Sequence, residues 1–237
     1  GLDDEVARRL HREVDLLVNC AGVVDFDPDV RLALATNVHG ALHCAAFCRQ
    51  SERAQLVHVS TAYQAGRMQG RIPETVTAAA RPADGEPWDV EAELRWAEQT
   101  IDRAVAVQES PESSALVAAE VERAIEDDLE DPEDPAVIDR YTRKIRKRRL
   151  IRALRDAGKR RADDLGFPNT YTWSKALAEG LLAQRFGLER MTLVRPAIVE
   201  SARAFPFEGW NEGFNTCGPL AFLVGTWFKH MPARRDN

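Results

Sequence analysis

Residues 15–22, D-L-L-V-N-C-A-G, form a short apolar run that closes in a turn of small residues. Such a run is typical of a strand buried on both faces of a parallel sheet. Residues 54–60 and 191–199 form two similar runs, and residues 30–49 carry the apolar stripe of an amphipathic helix between the first two. The alternation of strand and helix predicts an α/β fold with a doubly wound parallel sheet.

Polar side chains stand where the predicted strands end. Asn19 closes the first run, Ser60 and Thr61 close the second, and Arg195 and Pro196 lie in the third. Ligands of doubly wound sheets bind beyond the carboxyl ends of the strands. We therefore expect these residues to face one cleft.

Tyr171 and Lys175 are four residues apart, at the start of a predicted helix. Residues at this spacing share a helix face. A tyrosine that gives a proton to a carbonyl needs its pKa, about 10 in water, brought down, and a nearby cation does this. The pair is a candidate acid catalyst; the alternative is an exposed lysine beside a packed tyrosine.

Residues 71–165 form a charged insertion with three predicted helices, 90–107, 113–129 and 135–158. An acidic stretch, 126–134, precedes a basic helix, 139–161, whose apolar stripe is predicted to contain Ile138, Tyr141, Ile145 and Leu154. One interpretation is a helical hairpin whose opposite charges face each other. The other is that the basic helix attracts coenzyme A phosphates, an acyl carrier protein or an anionic membrane surface.

Composition excludes several classes of protein. The 237 residues are 44% hydrophobic and 30% charged with a net charge of −6, which favours a globular chain and argues against nucleic acid binding. No run has the length of a membrane helix, and we expect a cytoplasmic location.

Four possible metal ligands, His39, His43, Cys44 and Cys48, share one predicted helix. The side chains of His43 and Cys44 point about 100 degrees apart, so no metal site is expected.

Several segments together resemble one family. They are, in chain order, Val18-Asn19-Cys20-Ala21, Val24-Asp25-Phe26-Asp27, Asn37-Val38-His39-Gly40, His58-Val59-Ser60-Thr61-Ala62-Tyr63, Pro168-Asn169-Thr170-Tyr171-Thr172, and Val194-Arg195-Pro196-Ala197-Ile198-Val199. The chain resembles the fatty acyl-CoA reductases, which carry the male-sterility-type NAD-binding domain of the extended short-chain dehydrogenase/reductase superfamily. The resemblance implies a Rossmann-like sheet and NADPH as the cofactor.

The resemblance also implies roles for individual residues. Tyr171 would donate the proton, Lys175 would hold the nicotinamide ribose, and Thr61 would orient the substrate carbonyl, with Ser60 as the fallback. Asn37 would support the proton path or brace the neighbouring strand; alternatively it is a polar helix residue that faces solvent. The residues expected to line the cofactor are Asn19, Cys20, Ala21, Gly22, Tyr171, Lys175, Pro196, Ala197 and Ile198.

The chain departs from the family at its front. None of its fourteen glycines forms a Gly-x-Gly-x-x-Gly motif, the phosphate-binding turn that opens such domains. We therefore expect a segment truncated at both ends and inactive alone. Its expected parts are 1–70, a partial NAD(P)-binding domain; 71–165, the helical insertion; and 166–237, the rest of that domain with the start of a substrate-binding region.

Three functional hypotheses follow. The first is NADPH-dependent reduction of a long-chain fatty acyl-CoA thioester to the aldehyde, the primary alcohol or both. The second is a thioester reductase that takes its substrate from a carrier protein, and the third is a non-catalytic partial copy. The expected partner is long-chain acyl-CoA or an acyl carrier protein, and helix 139–161 offers a peripheral membrane contact.

Overall fold

The computed structural model describes residues 3–75, 81–212 and 218–226. The elements of the described chain, in order, are helix α1 (Asp4–Glu13), strand β1 (Leu16–Asn19), helix α2 (Val30–Ala33), a π-helical segment (Leu34–His39), helix α3 (Gly40–Gln50), strand β2 (Gln55–Val59), a 3₁₀ turn (Ala62–Ala65), helices α4 (Val90–Glu109), α5 (Pro111–Asp127), α6 (Pro135–Asp164) and α7 (Thr170–Phe186), strand β3 (Met191–Val194) and helix α8 (Gly218–Gly225). The α/β class is confirmed. Contacts divide the chain into two units, Gly1–Arg195 and Pro196–Asn237.

The three strands form a parallel sheet in the order β1-β2-β3. The register pairs Asn19 of β1 with His58 of β2. Helix crossovers between consecutive parallel strands are the connection that such a sheet requires. The Rossmann-like arrangement expected from the sequence is therefore present.

Only one face of the sheet is well covered in the described chain. Leu56 and His58 point into the core, at 1% and 0% exposure, whereas Leu16 and Val18 are 54% and 55% exposed. Because successive strand residues point to opposite faces, these values separate a helix-covered face from an open one. The prediction that the first strand is buried on both faces is wrong for this chain.

The main core lies where α2, α3 and α7 pack together against the covered face of the sheet. Helix α7 is almost wholly buried, with Trp173, Leu177 and Leu181 each at 0% exposure. Side-chain caps start the surrounding helices: Asp29, Asp89 and Asn169 each accept a hydrogen bond from a backbone N–H of the first turn. Such caps satisfy N–H groups that a helix cannot pair internally.

Helix α6 packs through two different faces along its length. Its first half contributes Tyr141 and Ile145 to a small core shared with α5, whereas Leu154 and Ala162 are fully buried near α2, α4 and α7. Ile138 is 39% exposed. The predicted single stripe is therefore wrong, because the side on which α6 is buried changes halfway along it.

The second unit contains α8 and a turn closed by hydrogen bonds between Ala202 and Trp210 and between Gly209 and Ala202. The predicted boundaries at residues 70 and 165 stay a prediction. The three helices of the insertion lie within the first unit, and α4 and α6 both contact α7.

Candidate active site

The start of α7 is fixed by local hydrogen bonds. Asn169 is its N-cap and accepts from the N–H of Thr172 at 2.9 Å. The N–H of Tyr171 donates to the carbonyl of Phe26 at 3.0 Å. These bonds set the position of the helix turn that carries Tyr171 and Lys175.

The phenol of Tyr171 lies beside the hydroxyl of Thr61, which stands two residues after the end of β2. Burial raises the pKa of Tyr171 above its ordinary value of 10, and the Thr61 hydroxyl acts in the opposite direction. The phenol is therefore protonated at neutral pH. This is the form that can donate a proton to a substrate oxygen.

The Lys175 side chain is buried, at 3% exposure, and its Nζ donates to the carbonyl of Val59 at 2.8 Å. Burial lowers the pKa of this ammonium, and the charges of Glu179 and Cys20 oppose that effect. We expected Lys175 to bring the pKa of Tyr171 below 10. The structure shows a raised pKa instead, because burial of the phenol outweighs the effect of the Thr61 hydroxyl.

Asn37 lies in the π-helical segment and is 1% exposed. Its Oδ1 accepts from the N–H of Val23 at 2.8 Å, and its Nδ2 donates to Ser174 Oγ at 2.8 Å. The Ser174 hydroxyl in turn donates to the carbonyl of Tyr171 at 2.8 Å. The alternative of a solvent-facing Asn37 is wrong, and local π-helical geometry is common at functional sites.

The turn after β1 is held from both sides. Asn19 Oδ1 accepts from the N–H of Ala21 at 3.1 Å, while Asn37 holds the N–H of Val23. A Cβ on Gly22 would lie 3.4 Å from both Asn37 Oδ1 and Lys175 Nζ. The backbone of Gly22 therefore passes close to these two polar groups.

The chemistry of Lys175 suits the ribose of a dinucleotide. An ammonium can donate hydrogen bonds to ribose hydroxyls, and this one lies close to the backbone of Gly22. Cys20 is exposed beside them, and Ala21 is anchored by Asn19. Their roles as cofactor-lining residues stay a prediction.

Ser60 and Thr61 are placed differently although they are neighbours. Both are 3% exposed, but the hydroxyl that acts on the pKa of the Tyr171 phenol belongs to Thr61. Ser60 Oγ is buried and has no hydrogen-bond partner in the described part of the chain. The geometry therefore favours Thr61 over Ser60 as the hydroxyl that works with Tyr171.

Arg195 joins the end of β3 to α7. Its guanidinium forms a multiple hydrogen-bonded pair with Glu179, which is 0% exposed, at distances from 2.5 to 3.1 Å, and it also donates to the carbonyl of Thr75 at 2.9 Å. Bidentate pairs of this kind combine charge with fixed geometry. Arg195 therefore supports α7 one turn beyond Lys175.

Two features of the site were missed by the sequence analysis. Glu93 of the insertion is 2% exposed and accepts from Trp173 Nε1 at 3.0 Å and from Arg161 at 3.0 and 2.6 Å. His58 is buried and hydrogen-bonded to Asn19. No sequence motif marks Glu93, because its partners are 68 and 80 residues away in the chain.

Part of the basic helix is paired with acidic side chains. Arg148 and Arg149 bond to Glu120 of α5, and Arg155 lies 3.4 Å from Asp25, which is outside the insertion. The two bonds to Glu120 support the hairpin interpretation of the insertion. The cofactor roles expected for Pro196, Ala197 and Ile198 stay a prediction, since these residues belong to the second unit.

The described residues contain no group of three His, Cys, Asp or Glu side chains arranged as metal ligands. None of their helices combines the length and the apolar character needed to cross a membrane.

A parallel sheet with a Tyr/Lys helix at its carboxyl edge defines an oxidoreductase-like nucleotide-binding domain. The chain belongs to the male sterility protein family of NAD-binding domains, whose family model matches residues 1–233. This membership supports a nicotinamide cofactor.

Three curated relatives show the same affiliation. The chain is 28% identical over 225 residues to the alcohol-forming fatty acyl-CoA reductase of Simmondsia chinensis. It is 26% identical over 226 residues to fatty acyl-CoA reductase 8 and 26% identical over 224 residues to fatty acyl-CoA reductase 1, both of Arabidopsis thaliana. Each alignment covers 94% of this chain and 38% of the relative.

Proposed function

We propose that the natural polypeptide containing this chain reduces long-chain fatty acyl-CoA thioesters with NADPH, giving the aldehyde, the primary alcohol or both. The observation that carries the proposal is the Tyr171 phenol beside the Thr61 hydroxyl, on the helix whose buried Lys175 is anchored to the end of β2. Relatives named as fatty acyl-CoA reductases support the substrate class. The chain spans 38% of the length of these relatives, so the activity of a whole protein is part of the proposal.

Tyr171 and Thr61 act on the substrate carbonyl in this proposal. The bound cofactor would supply a hydride, which leaves negative charge on the carbonyl oxygen. Hydrogen bonds from the Thr61 hydroxyl and the Tyr171 phenol are aimed at that charge and stabilise it. Tyr171 then protonates the oxygen, the hemithioacetal collapses, and the coenzyme A thiol leaves with the aldehyde as the product.

Lys175 and Asn37 keep this arrangement in place. Lys175 is anchored to Val59 at the end of β2, and Asn37 reaches α7 through Ser174. Both bonds fix the helix turn on which Tyr171 stands. A proton donor that is held in position contributes typically 10²- to 10⁴-fold to the rate of such reactions.

In this proposal the exposed cations of helix 139–161 contact coenzyme A, at a distance along the chain from the Tyr171 site. Lys144 and Lys147 are exposed on the outer half of α6. A positive field there would attract the coenzyme A phosphates, an acidic carrier protein or an anionic membrane surface. We favour coenzyme A, because it accompanies the proposed substrate.

The decisive experiment compares Tyr171→Phe with Tyr63→Phe in the natural polypeptide. We expect Tyr171→Phe to lower kcat about 100-fold or more with palmitoyl-CoA and NADPH. Tyr63 is 47% exposed, and its contact with Thr61 uses the backbone N–H, so Tyr63→Phe is the matched control. NADPH consumption that survives the loss of the Tyr171 hydroxyl would refute the proposal.

A further inference from the structure

His58 is the next-to-last residue of β2, and its ring is fully buried next to the polar groups of the candidate site. Its Nδ1 is 3.1 Å from Asn19 Nδ2. Asn19 and His58 are direct partners in the β1–β2 register, so the sheet itself brings the two side chains together. The contact is therefore built into the strand pairing.

The direction of this hydrogen bond follows from the other end of the Asn19 amide. Asn19 Oδ1 accepts from the N–H of Ala21, which leaves Nδ2 facing His58. An amide nitrogen only donates, so His58 Nδ1 must accept, and the ring proton lies on Nε2. The neutral ring with this tautomer is the one form of histidine that can complete the contact.

We propose that His58 is a positioning residue that sets the orientation of the Asn19 amide and thereby holds Ala21 in the turn of residues 20–23. Without an acceptor at Nδ1, the Asn19 amide loses one of the two contacts that distinguish its oxygen from its nitrogen. The Ala21 N–H then loses its fixed partner. The turn would remain attached at Val23, which Asn37 holds independently.

The inference rests on the proposed function only where it gives this turn a role beside the cofactor. Gly22 lies in the turn, and a Cβ there would be 3.4 Å from Lys175 Nζ. A displaced turn would therefore alter the space next to that ammonium. His58 itself contacts neither Tyr171 nor the substrate carbonyl in this scheme.

Two substitutions separate the acceptor from the volume of the ring. His58→Asn places a side-chain oxygen near the position of Nδ1 but removes ring volume. His58→Leu keeps volume and removes the acceptor. A purely space-filling role would make His58→Asn the more harmful change, whereas the proposed role makes His58→Leu the more harmful one at Ala21.

The test is amide hydrogen exchange, measured by NMR on the 237-residue chain with no cofactor added. We expect His58→Leu to speed exchange at Ala21 about fivefold, the factor that corresponds to one lost hydrogen bond, and to leave Val23 unchanged. In His58→Asn, the exchange rate at Ala21, measured relative to the slowest core amides, should stay close to its value in the unmodified chain. Equal exchange at Ala21 in both variants, or parallel changes at Ala21 and Val23, would overturn the proposal.

A kinetic arm in the natural polypeptide tests the link to the cofactor separately. We expect His58→Leu to raise the KM for NADPH several-fold more than it lowers kcat, and His58→Asn to restore much of the difference. Faster exchange at Ala21 together with an unchanged KM for NADPH would contradict the cofactor role of the turn. The positioning of Asn19 by His58 would still be supported. The two arms therefore fail for different reasons.

Discussion

The indole nitrogen of Trp173 donates a hydrogen bond to the carboxylate of Glu93 at 3.0 Å. Trp173 stands between Tyr171 and Lys175 on α7, and Glu93 belongs to the insertion. The same carboxylate binds Arg161 of α6, whose guanidinium lies 4.9 Å from the Trp96 ring centroid. The insertion is thus joined to the candidate catalytic helix through one buried carboxylate.

Replacing this carboxylate should destabilise the chain strongly. Glu93→Gln leaves Arg161 without its buried counter-charge, and we expect the free energy of unfolding to fall by about 2–4 kcal/mol. Trp173→Phe removes one N–H donor and keeps the ion pair, so it should cost about 1–2 kcal/mol. Urea unfolding of both variants measures the difference, and similar losses would show that Glu93 acts through Trp173 alone.

Substitutions of the two adjacent hydroxyls should separate their roles. Thr61→Ala removes the partner of Tyr171 and should lower kcat about 100-fold, the effect typical of a lost oxyanion donor, whereas Thr61→Ser should recover most of it. Ser60→Ala removes a hydroxyl that has no hydrogen-bond partner among the described residues and should change kcat less than about threefold. Steady-state kinetics in the natural polypeptide would decide, and the reverse ranking would make Ser60 the working hydroxyl.

Gly158 marks the closest approach of α6 to the start of α7. A Cβ there would lie 2.9 Å from Thr170 Oγ1 and from Val30 Cγ2. Gly158→Ala should therefore cost about 1–3 kcal/mol through overpacking, although alanine ordinarily favours a helix. Thermal or urea unfolding would measure this loss.

Gly40 provides the control for that experiment. A Cβ on Gly40 would meet only the carbonyl of Ala35, at 3.7 Å. Gly40→Ala should then raise stability by up to about 1 kcal/mol. A stabilising Gly158→Ala would mean that the two helices can separate without cost.

The pH dependence of stability should contain a contribution from His58. Burial and the Lys175 charge lower the pKa of His58 from 6.5 to about 4. Between these pH values the unfolded chain binds a proton that the folded chain does not. The contribution of His58 to the free energy of unfolding is therefore complete above pH 6.5 and is lost as the pH drops towards 4. The loss is about 3 kcal/mol at the lower end.

Unfolding at several pH values would measure this contribution. His58→Leu should flatten the decline between pH 6.5 and 4 relative to the unmodified chain, because the variant has no ring to protonate. The charged group that faces His58 from α7 is Lys175, which itself is flanked by Glu179 and Cys20. An unchanged pH slope in His58→Leu would show that other groups account for the decline.

The exposed cations of α6 test the coenzyme contact. Lys144→Gln with Lys147→Gln should raise the KM for acyl-CoA roughly two- to fivefold at low salt, and the difference should vanish near 0.5 M salt. Arg8→Gln with Arg12→Gln removes the same charge from exposed positions on α1 and is the control. Equal effects of the two pairs would indicate a response to net charge alone.

The sequence was sufficient to predict the fold class, whereas the catalytic roles of Tyr171, Lys175 and Thr61 stay a prediction. The strands and α7 carry dense local patterns, and the structure brings Lys175 Nζ to the carbonyl of Val59 at the end of β2. Glu93 and Arg161 were not identified, because an ion pair across 68 residues leaves no spacing signal. The sign of the Tyr171 pKa shift was also beyond reach, since it depends on burial and not on the nearness of Lys175 in the chain.

Helix α6 was described from the sequence as having one stripe, and the structure shows two buried sides on its 30 residues. Selection should therefore act on its two halves differently. Substitutions around Tyr141 and Ile145 perturb a cluster that the described chain shares with α5, while changes at Gly158 or Ala162 press on the core around the helix that carries Tyr171. We expect the buried positions of the outer half to vary more among related sequences than those of the inner half.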